Sequence, residues 1–472
     1  MMSFTLDHAT QSQGMQSSNS LKKLTTIVLI IGLALIVRGL TANFVRAHFN
    51  DPAWFQSGSF SIFDRQARDV LDGRESIFWI PDSSRTDLIQ YPPGNIAWIA
   101  AIYSITGDRS PASVQRVQWV IDSFAVLLII AIGAIAYNWT IGITAGVFAA
   151  LSPLLALYAA TPGADVPTNW LILTAILLLV LAYKRKSAWY AIGAGALLGL
   201  SCWFRVNPLM MFVVWGIALY FLVTATRIFR VRLAALVVAA CVLVISPLIV
   251  RNLIVFYPEI APTGLNIGWN LLAGIGDTER GAEFGAPCCD ALIIEQDRRA
   301  MGLPPDAPLS LDYPDGIRRD RERGRRALAI IKAHPVWYAG VMIKRALSHF
   351  KLAGKPAPSV GSAGINVTSA KCLSPASQFI PLSTAVNVLG SIQSVIRYTA
   401  LIFMLLGIWV GLRTDWRTTA LLLATILYFL ATLAVGHSEI RYGLPMQSLL
   451  IVFQAVGFCA VVARFRRRTR SD

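Results

Sequence analysis

The sequence predicts an all-α polytopic membrane protein with about ten transmembrane helices and two large extracytoplasmic loops that contain juxtamembrane amphipathic helices. Three observations lead there. Of 472 residues, 55% are hydrophobic and 14% charged, and the mean hydropathy is +0.57, outside the balance of a soluble domain. Apolar runs long enough to cross a hydrocarbon core of about 30 Å recur between short polar breaks. The basic residues gather at the ends of these runs, as lysine and arginine do at cytoplasmic turns.

That last pattern also accounts for the net charge of +16 without a nucleic-acid partner, because no arginine-rich recognition helix and no aromatic platform accompanies it. Residues 1–20 are polar and Ser/Gln-rich, read as a disordered cytoplasmic N-terminus, and no small-residue cleavage site follows the first apolar run. The run Leu24 to Thr41 is therefore a retained anchor, and Lys22 and Lys23 set its start inside.

The remaining runs are Asn95 to Thr106, Val117 to Tyr137, Ile141 to Ala160, Val166 to Tyr183, Ala188 to Phe204, Leu209 to Ala225, Leu233 to Val250, Asn387 to Gly411, Thr418 to Val435 and Leu444 to Val462. Lys184, Arg185 and Lys186 mark an inside turn, so an odd number of crossings must precede it. Four apolar runs lie in that interval. The shortest, Asn95 to Thr106, follows the helix-breaking pair Pro92 and Pro93 and is assigned as a juxtamembrane or re-entrant helix. Arg227, Arg230 and Arg232, then Arg413 and Arg417, then the tail from Arg464 all fall inside on this count. Both termini are expected in the cytoplasm.

The chain divides accordingly into a transmembrane catalytic core over 21–250 with a first outer loop at 43–116, a large extracytoplasmic loop over 251–386, C-terminal transmembrane helices over 387–463 and a basic cytoplasmic tail over 464–472. The Arg318–Arg326 cluster in the large loop does not conflict, since loops beyond about 60 residues escape the positive-inside rule. Within that loop, 327–350 has apolar residues at helical spacing, read as one helix on the outer leaflet or on a small loop domain. In the first loop, 59–73 reads as an amphipathic helix with Phe60, Phe63, Ala67, Val70 and Leu71 on one side.

Cys202, Cys241 and Cys459 fall in apolar runs, whereas Cys288, Cys289 and Cys372 fall in the long polar loop. No CxxC pair indicates a metal centre, and in an oxidising compartment one of the adjacent pair is expected to bridge to Cys372.

A charge near the bilayer is costly, so charges that converge on one face of the bundle suggest a site. Asp165 stands in the turn Ala160 to Pro167; Arg205 ends the run at Phe204; Arg251 and Asn252 follow Pro247; Arg441 and Tyr442 open the last run. All four positions fall on the outer side. Arginine's planar fork binds phosphate oxygens and stabilises charge growing on a departing phosphate, while a carboxylate deprotonates or orients an acceptor hydroxyl. The set therefore suits transfer from a lipid phosphate; the competing structural reading is that each arginine only snorkels to headgroups. The helix 59–73 supplies Asp64, whose default role is solvated surface charge, and Asp122 is a further acid inside its run that could pair with Arg116 or another arginine. No Asp-x-Asp or acidic cluster stands near Asp165, so no divalent metal and no other cofactor is expected.

An acid-bearing helix ending in Leu71, Asp72, Gly73 is followed by YPPG at 91–94, SP at 152–153 with an acid soon after, and FR at 204–205. RN at 251–252, GLNIGWNLLAG at 264–274, AHPVWY at 333–338 and RYGLP at 441–445 complete the order. This order resembles the GT-C glycosyltransferases, and within them the branch containing protein O-mannosyltransferases and the transferases that add aminoarabinose to lipid A. The likeness runs from Leu24 to Val462. It implies a polyprenyl-phosphate monosaccharide donor, a lipid, glycan or protein acceptor reached from the outer face, and inversion at the sugar; the basic tail and short inner loops suggest a bacterial inner membrane. By the same resemblance Asp165 is the second-loop acid, and Arg205, Arg251 and Arg441 contact the phosphate. The family's first-loop acid falls by spacing near Ser59, which is not an acid, so Asp64 takes that role by proximity; the departure fits either an altered base or a lost activity. Tyr91, Asn266 and Tyr442 are further candidates within these motifs.

Two other classes compete. A transporter or flippase of lipid-linked or anionic substrates would show internal repeats with interrupted helices, and no repeat relates the halves. A non-catalytic scaffold of the same architecture would explain the missing acid at Ser59.

Overall fold

A computed structural model describes residues 5–47, 49, 59–77, 92–263, 267–288, 290–305, 307, 309, 316–350 and 383–469, and the described residues form helices without strands. Every apolar run read from the sequence folds as helix. In order they are α1 (Thr5–Arg46), α2 (Ser59–Leu71), α3 (Gly94–Thr106), α4 (Pro111–Ala136), α5 (Trp139–Leu151), α6 (Pro153–Ala160), α7 (Asp165–Arg185), α8 (Ala188–Ser201), α9 (Met211–Leu222) and α10 (Arg227–Val255). The large loop contributes α11 (Ile267–Gly276), α12 (Asp290–Ala300), α13 (Gly316–Ala333) and α14 (Pro335–His349). α15 (Ser383–Thr414), α16 (Trp416–Val435) and α17 (Leu444–Arg468) close the chain.

Six helices among the described residues are long and apolar enough to cross a bilayer: Leu21–Arg46, Pro111–Ala136, Asp165–Arg185, Arg227–Val255, Trp416–Val435 and Ile440–Arg468. α5 and α6 make a seventh as a pair bent by 56°. The sequence reads that pair as one straight run. It breaks because Pro153 offers no N–H to the ladder, while the Ser152 hydroxyl accepts the Leu155 N–H at 3.3 Å and starts a new helix. α8 and α9 are apolar but short, at 14 and 12 residues, and therefore span only about 21 and 18 Å. The single helix read over 327–350 is two helices, because Pro335 restarts the chain as the first residue of α14.

Local signals set the other ends. α7 opens on Asp165, whose negative charge suits the positive end of the helix dipole, and it closes with Lys184 and Arg185 before Lys186 turns left-handed at φ 50°. Asp415 caps α16 by accepting from the Thr418 N–H at 3.1 Å, and it also takes Lys184 at 2.7 Å. That contact ties the two basic turns together at one end of the bundle, opposite Asp165.

Packing makes α7 and α17 central: 61% and 67% of their apolar windows are buried, against 17% for α1 and 28% for α10. α4, α8 and α17 surround α7, α15 and α5 flank α17, and α9 sits between α10 and α16. One buried ion pair ties the middle together. Arg38 of α1 donates to Asp122 of α4 at 2.7 Å, and Asp122 also accepts from the Trp170 indole of α7 at 2.8 Å. Asp122 therefore pairs with Arg38, while Arg116 pairs with Asp108 at 2.6 Å.

Among the cysteines, Cys202, Cys241 and Cys459 are free thiols, and Cys288 is disulfide-bonded. Cys289 and Cys372, to which the expected bridge refers, lie outside the described residues.

Candidate active site

The N-termini of the two central helices meet at the bundle end away from the basic turns. Asp165, the first residue of α7 and 7% exposed, faces Arg205 with its Oδ1 3.0 Å from Nη1. Its other oxygen lies 4.0 Å from Nε of Arg441, which sits in the short 3₁₀ turn Ile440–Gly443 before α17. The two arginines share an aromatic partner, since Tyr442 lies under the Arg205 guanidinium at 4.2 Å and beside that of Arg441 at 5.4 Å. Asn207 is held in the same place through its amide, which donates to the Tyr442 carbonyl at 3.2 Å. Asp165, Arg205, Arg441 and Tyr442 are thus brought together.

The cluster extends through residues that the motif reading did not assign. Glu439 grips Arg441 along one edge, with Nε at 2.7 Å and Nη2 at 2.8 Å from its two oxygens. His437 lies 3.8 Å from Glu439 and, through Nδ1, 2.7 Å from Asp277, which follows α11. Burial works against a charge on His437, yet the bonds to Asp277 and Glu439 outweigh it and hold its pKa well above the usual imidazole range. Burial likewise opposes the Glu439 carboxylate, but the Arg441 charge and the His437 contact pull it down to about 2. The sequence offered one signal for these two, since they stand just before RYGLP in the order HSEI. For Asp277 it offered only its place after GLNIGWNLLAG.

Hydrogen-bonding capacity remains unspent here. Nε of Arg205, Oδ1 of Asn207 and Oδ1 of Asn169, one turn beyond Asp165, are buried without a protein partner among the described residues. Buried polar groups are normally satisfied, so three such atoms in one cluster fit a site built for an oxygen-rich ligand. Among the described residues no group of three or more His, Cys, Asp or Glu side chains is arranged to hold a metal ion.

Arg251 differs in its partners. Its guanidinium donates to Oδ1 of Asn252 at 3.0 and 2.7 Å and to the Ile77 carbonyl at 3.1 Å, and it has no carboxylate partner among the described residues. Ile77 also edges a cavity of about 470 Å³ lined by Trp98, Trp170, Leu171, Leu200, Trp203 and Phe204. Gly94 of the YPPG motif forms part of its wall: its N–H donates to the Trp203 carbonyl at 2.7 Å, and a Cβ there would sit 2.6 Å from that oxygen. The cavity adjoins the cluster at two seams, since Pro167 follows Asp165 and Phe204 precedes Arg205.

Asp64 is held apart. It accepts from the Tyr103 hydroxyl and from Arg68 at 3.1 Å. Tyr103 stands nine residues beyond Gly94 on α3, about 13 Å along the helix from the Trp203 contact. Asp122 belongs to the buried pair with Arg38. Tyr91 and Asn266 lie outside the described residues.

Residues 90–250, which include Asp165 and Arg205, match the family described as dolichyl-phosphate-mannose-protein mannosyltransferase. The structure resembles the archaeal oligosaccharyltransferase AglB from Archaeoglobus fulgidus in complex with an inhibitory peptide and a dolichol-phosphate, with a TM-score of 0.53 and 13% identity over 96% of this chain and 52% of that one. The same enzyme in its apo form gives a TM-score of 0.52, 13% identity and coverage of 95% and 52%. Tethered to an acceptor peptide with the NVT sequon, it gives 0.52, 12%, 95% and 51%. The chain spans about half the length of these structures, and at such identity the likeness is one of fold. Comparison with curated protein sequences returns no match. The chain shares the fold of these structures and is an all-α polytopic membrane protein.

Proposed function

We propose that this GT-C membrane protein is a glycosyltransferase that moves a monosaccharide from a polyprenyl-phosphate donor to an extracytoplasmic acceptor, with inversion at the sugar. The observation that carries the reading is the meeting of Asp165 with Arg205 and Arg441 beside an apolar cavity whose wall residue Ile77 accepts from Arg251, an arginine with no acid partner among the described residues. An amphiphile with a phosphate head and a prenyl tail matches both halves. The tail enters among Trp98, Trp170 and Trp203, and the phosphate oxygens take Arg251, Nε of Arg205 and Nη1 of Arg441.

In the transfer, the acceptor hydroxyl attacks the anomeric carbon opposite the phosphate. Its proton passes to a carboxylate, the bond from sugar to phosphate oxygen breaks, and polyprenyl phosphate leaves with the electron pair. Of the two acids read from the sequence as candidates, Asp165 is the one in contact with the arginines, and we assign the base to it; Asp64 is engaged by Tyr103 and Arg68. The arginines stabilise the charge that grows on the leaving phosphate. The dolichol-phosphate in the AglB complex supports the lipid-phosphate reading. The basic turns support a site on the outer face with both termini cytoplasmic, and the short inner loops and basic tail fit a bacterial inner membrane. The acceptor is a lipid, glycan or protein.

The test uses purified protein in lipid nanodiscs with polyprenyl-phosphate sugars, scored by release of polyprenyl phosphate. Asp165→Asn and Arg441→Ala should each lower turnover by about 100-fold or more while the protein stays inserted. Full turnover in both variants refutes the assignment.

A further inference from the structure

The segment that leads into Arg441 is gripped from the large loop. On its α14 side, Arg345 donates to the carbonyls of Ala434, at 3.3 Å, and Gly274, the Tyr338 hydroxyl donates to Val435, and His349 meets the Ser438 hydroxyl at 2.8 Å. On its α11 side, the His437 N–H donates to the Asn270 carbonyl at 2.8 Å. Gly274 packs so closely on Gly436 that a Cβ would stand 2.7 Å from its carbonyl carbon. Trp269 closes edge-on against the His437 ring at 5.6 Å.

Within this grip the charges alternate without interruption: Asp277, His437, Glu439, Arg441, Asp165, Arg205. Glu439 accepts from Nη2 of Arg441 and stands 2.7 Å from its Nε, and Nη1 donates to no protein acceptor among the described residues. The orientation of that free corner is set by the carboxylate, and the carboxylate is flanked on its far side by His437. A buried carboxylate with two cationic neighbours has one geometry that serves both; with one neighbour removed it follows the other.

We propose that Asp277 is a positioning residue for Arg441: by pairing with His437 it fixes Glu439, which turns the free corner of the Arg441 guanidinium toward the lipid phosphate. The inference rests on the glycosyltransferase reading for its substrate but not for its geometry. It makes the large loop a determinant of donor binding through one carboxylate, since Asp277 is the member of the chain that the loop contributes. The titratable and charged groups facing His437 are Asp277 from the loop, Glu439, Arg441 and Tyr442 from its own segment, with His349 and Arg345 of α14 against the neighbouring residues.

Two measurements on the full-length protein in nanodiscs test this. First, 15N-histidine NMR follows the five imidazoles with pH, and His437→Gln identifies the relevant signal. The wild type should keep His437 protonated well above the ordinary range; Asp277→Asn should lower its pKa by about one unit or more, and Asp277→Glu should restore it. Second, binding of polyprenyl phosphate is measured against pH. In Asp277→Asn the alkaline loss of affinity should begin lower by the same interval, so that for a shift of about one unit binding is unchanged below both pKa values and about tenfold weaker above them. A structural role alone would weaken binding equally at every pH, and that result, or an unchanged imidazole titration, overturns the proposal. Wild-type protein that binds no polyprenyl phosphate at any pH overturns the functional reading instead, and the imidazole titrations still decide the Asp277 to His437 coupling.

Discussion

Asp165 and Arg205 form an ion pair of 3.0 Å across the end of the bundle, although one begins α7 and the other follows α8. Arg441 completes the group while already held by Glu439. Two of the three arginines read as phosphate ligands are therefore neutralised by acids before any ligand arrives, and Arg251 is the exception. A buried cation without a counter-ion is costly unless an anion joins it.

Arg251 should thus dominate affinity for the lipid phosphate. Arg251→Ala is expected to weaken polyprenyl phosphate binding by about 10- to 100-fold, the worth of a charge-assisted bond, with Arg251→Lys intermediate because a lysine lacks the planar fork. Equal binding by wild type and Arg251→Ala in a titration of polyprenyl phosphate contradicts this.

The apolar cavity should read the tail and not the head. Ala97 lines it, so Ala97→Phe fills space that would receive prenyl carbons. With about 0.8 kcal/mol for each methylene excluded, polyprenyl phosphate affinity should fall about tenfold or more, while protection of the protein by inorganic phosphate stays unchanged. Equal loss for both probes would show that the substitution disturbs the arginines.

Stability should depend on pH through Glu439. Its pKa is depressed from an ordinary 4.5 to about 2, so its contribution is complete above 4.5 and disappears as the pH falls toward 2. Glu439→Gln, which leaves Arg441 buried beside a neutral amide, should cost on the order of 3 kcal/mol at pH 7 and much less near pH 2. Thermal unfolding at several pH values checks it: melting curves that stay separated by the same amount at pH 7 and pH 2.5 exclude the mechanism.

The Arg38 and Asp122 pair should be structural. Asp122→Ala strands a guanidinium that is 1% exposed, and a loss of about 3 to 5 kcal/mol is expected. Replacing both members by leucine should recover most of it, because two well-packed apolar residues avoid the desolvation penalty. Detergent-solubilised melting curves of the two single variants and the double variant decide the point. Recovery of stability without recovery of sugar transfer would assign the pair a part in the reaction.

The helices and their order were legible in the sequence because hydrophobic periodicity and terminal basic residues are local signals, complete within each run. They were enough to bring Asp165, Arg205 and Arg441 to one face, since each ends a run on the same side of the charge asymmetry. Helix breaks at Pro153 and Pro335 were also written there, in residues that lack an N–H, although the runs containing them read as continuous. What the chain order could not state is which acid answers which base. Asp122 chooses Arg38 over the nearer Arg116, Asp64 turns to Tyr103, Glu439 takes the edge of Arg441, and Asp277 reaches His437 from a different part of the sequence. Those choices depend on distances of a few ångströms in a medium where an unpaired charge is expensive, and such distances exist only once the helices have packed.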